Sequence, residues 1–247
     1  MIFLTMAFAV LVKVAVIDTG YNKEQNEFTQ CSDMGKDLTG TGMQDLSNHG
    51  DHISHILEYK TKYPSKYCQA VIKYVDAKNP VSSLLSVENS IKAFEYVYEN
   101  RKQIKLINYS SSGFEKVSTQ ELEEYIQDKR KSLPISKPYL RLLLKERLII
   151  KELLNEGVKI VVAAGNEGRE IKDNYCNVFP ACHDDRIIVV GYKHSPEFKS
   201  NYGKFVDYYE DGYKIKTLSG EITGSSAAAA IRSAKELDTL IEKEMEN

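Results

Sequence analysis

The chain alternates solidly apolar runs with segments of helical spacing, and that alternation limits its possible folds more than any other feature. Lys13–Ile17 reads KVAVI and Val158–Ala164 reads VKIVVAA. Neither shows the regular polar alternation of a strand with one wet face, so both faces of these strands must be covered. Ala70–Val75, Ile104–Asn108 and Ile187–Gly191 read as further strands. Between them, His49–Lys62 carries Ile53, Ile56 and Leu57 at helical spacing, and Val87–Asn100 carries Ile91, Phe94, Val97 and Tyr98 on one stripe. Tyr139–Glu156 is a third helix, closed by Gly157 as C-cap. Ser226–Met245 is a fourth, Ala-rich at its start and charged afterwards. Strands and helices in this order predict an α/β fold: a single-domain three-layer sandwich with a mostly parallel, doubly wound sheet. The 247 residues suit one such domain over 12–247. Residues 114–138 are polar and read as an exposed excursion, with Pro134 and Pro138 near its end.

Charge sets limits on partners. Lys and Arg total 33 against 35 Asp and Glu, a formal charge of -2, which supplies no broad basic face for nucleic acid. No run is long and apolar enough for a stable membrane span. Residues 1–11 form an apolar leader broken by Thr5, with Ala7-Phe8-Ala9 resembling a cleavage site but no preceding Lys or Arg. The expectation is export, secreted or periplasmic, with a cytoplasmic location as the alternative. The four cysteines, Cys31, Cys68, Cys176 and Cys182, leave two states open. They fit two disulfides in an oxidising compartment, where Cys176 and Cys182 could close a short loop, or four thiols in a reducing one.

In doubly wound sheets, functional groups gather at the carboxyl ends of strands. Asp18 ends one run, Asn108 another, and Asn166 follows a third. Val14–Gly20 (VAVIDTG), Asn48–Ile53 (NHGDHI) and Ile222–Ala229 (ITGSSAAA) bring an Asp, a His and a Ser to element ends. A serine hydroxyl attacks only when a base takes its proton, and the base needs an acid to orient it. Val161–Gly168 (VVAAGNEG) adds Asn166 in a Gly-bracketed turn, suited to donating a hydrogen bond to an oxyanion. Each segment alone is as well explained by a turn.

Together and in this order, the four segments resemble the subtilisin-like serine proteases, a family known for the order Asp, His, Ser. The resemblance implies Asp18 as orienting acid, His49 as general base, Ser226 as nucleophile and Asn166 as oxyanion donor. Ile107–Gly113 (INYSSSG) resembles the strand that lies along the substrate. Tyr109, Ser110, Ser111, Ser112 and Gly113, with Ala164 and Gly165, are then the expected substrate-binding residues. The specificity pocket is expected between segments 109–113 and 163–168. The implied function is a serine endopeptidase acting on protein or peptide substrates, a monomer needing no cofactor. Calcium is a possibility from the family, with no ligand set identifiable in the sequence.

Departures carry expectations of their own. Ala230 replaces the family's usual Pro, which predicts a less sharply defined first turn after Ser226. Asp51 replaces Thr and would raise the His49 pKa if it turned inward. Ser225 replaces Thr and Ala227 replaces Met. His49, His52 and His55 are spaced by three, but their directions on a helix do not converge on one ion. His52 and His55 are expected to be packed or solvent-facing, and His183 and His194 to have no role. Two rival readings remain: an inactive binding or scaffold protein of the same fold, and a nucleotide-binding protein resting on the Gly165–Gly168 turn.

Overall fold

β1 (Val12–Asp18) sends Val12, Val14 and Val16 into one core and Ala15 and Ile17 into the other. A strand buried on both faces needs apolar residues at successive positions, which explains the unbroken run. The structure, a computed structural model, describes residues 12–22, 28–76, 83–172, 175–193 and 200–246. The apolar leader 1–11 and His194 lie outside the described residues.

β1 pairs in parallel with β3 (Tyr67–Lys73) on one side and β4 (Ile104–Tyr109) on the other. The sheet continues through β6 (Lys159–Ala163), β8 (Ile188–Tyr192) and β9 (Tyr208–Glu210), with β2 (Lys36–Asp37) at the opposite edge. The order is β2-β3-β1-β4-β6-β8-β9, and every pair is parallel. Two antiparallel hairpins stand outside it: β5 (Gly113–Phe114) with β7 (Val178–Phe179), and β10 (Ile215–Thr217) with β11 (Gly220–Ile222). The chain leaves β1 toward β3 and later returns to its other side as β4. That reversal opens a crevice at the carboxyl end of β1, where Asp18 sits.

α1 (His49–Lys60) and α5 (Ser225–Glu246) cover one face, and α2 (Ser83–Glu99) and α4 (Lys137–Asn155) cover the other. Ala227–Ala230 are fully buried, and their short side chains let α5 lie close against β4, β6 and β8. The softened first turn expected from Ala230 does not occur: α5 is regular from Ser225. Alanine is the strongest helix former, and Asn166 accepts the Ser225 N–H, so the turn needs no proline. Segment 114–138 is likewise more than an exposed excursion. It contains α3 (Thr119–Gln127), started by a reciprocal capping box between Ser118 and Glu121 and anchored by buried Val117 and Leu122.

All four cysteines are paired, Cys31 with Cys68 and Cys176 with Cys182. The first bond ties the segment before β2 to β3, and the second closes the short loop that contains β7.

Candidate active site

Two glycines bring the end of β1 to the start of α1. A Cβ on Gly50 would lie 2.2 Å from the Gly20 carbonyl oxygen, and one on Gly20, whose φ is +109°, would lie 2.2 Å from the Met43 carbonyl. Only bare backbone at both positions lets the turn after β1 touch the start of α1. Thr19 completes the contact, its hydroxyl accepting the Gly50 N–H at 2.9 Å. Asp18, 3% exposed, then accepts a 2.6 Å hydrogen bond from His49 Nδ1 on its Oδ1, which also takes the Thr19 N–H at 2.8 Å. An ionised carboxylate only accepts, so the imidazole proton stands on Nδ1 and Nε2 carries the free lone pair. The His49 side chain remains 34% exposed, with its ring open to the crevice.

Burial opposes charge on the His49 ring, but Asp18's charge and hydrogen bond, helped by Asp45, outweigh it and hold the pKa above its ordinary 6.5. The second carboxylate is thus Asp45, not Asp51. Asp51 turns away and is fully buried, accepting from the Asn22 backbone N–H at 2.8 Å and its side-chain amide at 2.6 Å. A base must be neutral to take a proton, so a raised pKa moves activity toward higher pH. We expect kcat/KM to climb with pH through a midpoint above 6.5, and Asp45→Asn to lower that midpoint. A pH–rate profile of both proteins checks this; a flat profile between pH 5 and 9 would count against a histidine base.

Ser226 lies in the first turn of α5, 9% exposed. Its hydroxyl donates to the Ser110 carbonyl at 2.9 Å, and among the described residues no hydrogen bond joins it to His49. Ser225 is fully buried, and its hydroxyl accepts the Gly165 N–H at 3.1 Å. Asn166 is exposed and accepts the Ser225 N–H on Oδ1 at 2.8 Å. An N–H can only donate, so the atom facing it must be the amide oxygen. That leaves both Nδ2 hydrogens of Asn166 free to donate. The Ser226 N–H is one of the first-turn donors that a helix cannot satisfy within itself. Asn166 is thus held at the N-terminal end of α5, where the Ser226 N–H and the positive end of the helix dipole also lie.

The expected substrate-binding residues divide into two groups. Tyr109 and Ala164 are buried in strand and core, and the Ala164 carbonyl is taken by the Asn201 amide at 2.9 Å. The Gly165 carbonyl accepts the Asn201 N–H at 3.0 Å, so both of its backbone groups are engaged. Ser110 sits under Ser226 and Gly113 pairs with Phe179. Backbone that could pair with an extended peptide is thereby concentrated at Ser111 and Ser112.

Several supporting residues escaped sequence reading. Ser233 donates to Asn108 at 2.8 Å and Asn108 donates to Ser110 at 2.8 Å, a chain that fixes α5, and so Ser226, against the end of β4. The only hint in the sequence was Asn108 at the end of an apolar run. His52 bonds the Thr217 hydroxyl at 2.5 Å and joins α1 to the β10–β11 hairpin. His183, given no role from the sequence, is fully buried and bonds Glu146 at 2.9 Å. No group of three or more His, Cys, Asp or Glu among the described residues is arranged to hold a metal. The buried Asp45 and Asp51 carboxylates are already satisfied by protein donors and do not suit calcium.

A model of the subtilase family matches residues 11–234. Subtilisin-like protease 2 of Arthroderma otae is 26% identical over 211 residues, covering 82% of this chain and 42% of that protein. The extracellular serine proteinase of Thermus sp. (strain Rt41A) is 24% identical over 230 residues, covering 88% of this chain and 47% of that protein. The chain thus spans less than half the length of these curated relatives. Among solved structures, a lanthipeptide protease superposes with TM-score 0.71 at 16% identity, over 96% of this chain and 76% of its own. A cold-adapted subtilisin-like serine proteinase superposes with TM-score 0.63 at 20% identity, over 92% of this chain and 76% of its own. At these identities the structures support the fold.

Proposed function

The chain belongs to the subtilase family, and on that premise we propose that it is a serine endopeptidase using Asp18, His49 and Ser226, with Asn166 as oxyanion donor. The observation that carries the reading is the Asp18–His49 hydrogen bond at the crevice beside the end of β1, which orients a lone pair on Nε2. Ser226 Oγ turns from the Ser110 carbonyl toward His49 Nε2 and gives up its proton as Oγ bonds the scissile carbonyl carbon. The carbonyl oxygen becomes an oxyanion held by Asn166 Nδ2 and the Ser226 N–H. His49 passes the proton to the leaving nitrogen, the C–N bond breaks, and an acyl-enzyme remains. Water, deprotonated by His49, then releases the acid and restores the hydroxyl. The substrate lies extended beside Ser111 and Ser112.

Asn166→Ala should fall on the chemical step, because the oxyanion forms only there. Turnover should drop by roughly 10²–10³, about 2.7–4 kcal/mol, a magnitude taken from a protease of this same family, while KM changes little. A lower melting temperature with full turnover would instead give Asn166 a turn role only. Two disulfides and a relative named as extracellular support an exported protein, secreted or periplasmic.

The Ser226 hydroxyl, bonded to Ser110 rather than His49, favours a second reading in which the fold serves as an inactive binding protein. Labelling with an active-site-directed fluorophosphonate separates the two. Wild type should be labelled at Ser226 and Ser226→Ala should not; an unlabelled wild type supports the binding protein.

A further inference from the structure

α3 and α4 enclose a groove of about 390 Å³. In it Tyr125 and Leu144 rest against the core, while Ile126 and Leu148 are 51% and 65% exposed. The helices are anchored by other side chains, α3 by Leu122 and α4 by Leu140, Leu143, Ile150 and Leu153. An amphipathic helix turns polar residues to water, so large aliphatic side chains from two helices beside one concave surface mark a place that a guest covers.

Charge says what kind of guest. Among the described residues Glu123 is the only acid lining the groove, and it is bonded to Arg147. Lys129 and Lys151 also line it, and neither forms a salt bridge among the described residues. Asp184, which feels the Lys151 charge, is bonded to Arg186 instead. Arg147 adds an independent observation. Its side chain is 6% exposed and only Nη2 is engaged, on Glu123, while Nε and Nη1 are buried with no hydrogen-bond partner. A guanidinium keeps its charge and all its N–H donors at any working pH, so this deficit does not depend on protonation. Donors left unmet are costly, and a carboxylate oxygen is the acceptor that answers a cationic donor most strongly. Glu123 is 53% exposed, a rim side chain that an incoming carboxylate can displace.

We propose that the α3–α4 groove is a docking site for a segment of the protein substrate remote from the scissile bond. That segment presents a carboxylate to Arg147 between apolar side chains that settle on Ile126 and Leu148. Only Glu115–Ser118 join β5 to α3, so the groove stands a short way along the chain from the open backbone of Ser111 and Ser112. The inference rests on the endopeptidase reading for the identity of the guest, while docking itself needs no catalysis.

The test uses the full chain carrying Ser226→Ala, so that no probe is cleaved. Three fluorescein-tagged peptides share Leu and Phe on each side of a central Glu, Gln or Lys. By anisotropy the Glu peptide should bind at least tenfold more tightly than the other two, and Leu148→Glu and Arg147→Gln should each cost it at least fivefold. Leu148 lies at the surface, so its variant is informative even where Arg147→Gln fails to fold. Equal binding of the three peptides, or a preference preserved in Leu148→Glu, overturns the proposal. Leu148-dependent binding to phosphatidylserine vesicles, or Leu148-dependent self-association, gives the groove to a lipid surface or a second copy and overturns it too. In wild type, joining the Glu segment to a short fluorogenic substrate through a Gly/Ser linker should lower KM at least fivefold, a gain that Leu148→Glu should erase. Fluorophosphonate labelling of wild type keeps the two failures apart. Labelled protein indifferent to the central residue loses this inference alone, whereas unlabelled protein whose Ser226→Ala form selects the Glu peptide keeps the docking site and loses the endopeptidase reading.

Discussion

Ser226→Ala should lower kcat by about 10⁶, the scale on which loss of the nucleophile falls in a protease of this family. On the proposed mechanism, removing Oγ removes the atom that forms the acyl bond. Ser225 is the nearest candidate to replace it, yet it is fully buried and its oxygen is committed to the Gly165 N–H. Ser225→Thr retains that acceptor and should keep turnover within about tenfold. Ser225→Ala should act on folding instead, leaving the Gly165 N–H unpaired at a cost of about 1–3 kcal/mol. Steady-state turnover and thermal melts of the three variants decide the matter. Full loss in Ser225→Thr with activity kept in Ser226→Ala would reverse the assignment.

Asp18→Asn should lower kcat by about 10⁴ with little change in substrate binding. The substitution removes the charge that stabilises the imidazolium formed during attack. It also removes the acceptor-only character of the group, so an amide NH₂ can face Nδ1 and leave the proton on Nε2, where it blocks the base. The same change removes the largest factor raising the His49 pKa, so the residual activity should titrate at lower pH than wild type. An unchanged midpoint in the pH–rate profile of Asp18→Asn would place the carboxylate outside the working site.

The solid strands could be read because a residue buried on both sheet faces leaves no polar alternation, and Lys13–Ile17 became the centre of β1. The motif ends were legible for a related reason: strand ends and helix starts fix where Asp18, His49 and Ser226 emerge. Short elements such as β5, β7 and β9 were not legible. Two or three residues carry no period, and such strands exist only because a partner distant in sequence supplies their hydrogen bonds. α3 had a usable signal in Ser118 and Glu121, three apart, obscured by the polar residues around it.

By itself the sequence determined the layered α/β class, the family resemblance and the order of the reactive groups, since all of these follow from local composition and spacing. Tertiary structure decided where side chains point once distant segments meet. It turned Asp51 toward Asn22 and brought Asp45 to influence His49. It aimed the Asn166 oxygen at the Ser225 N–H and so freed its amide hydrogens. It also set Ile126 and Leu148, 22 positions apart in the chain, around one groove between α3 and α4. Spacing along a chain fixes which face of an element a residue occupies. The charge or donor it meets there belongs to another element, and only packing brings the two within hydrogen-bond distance.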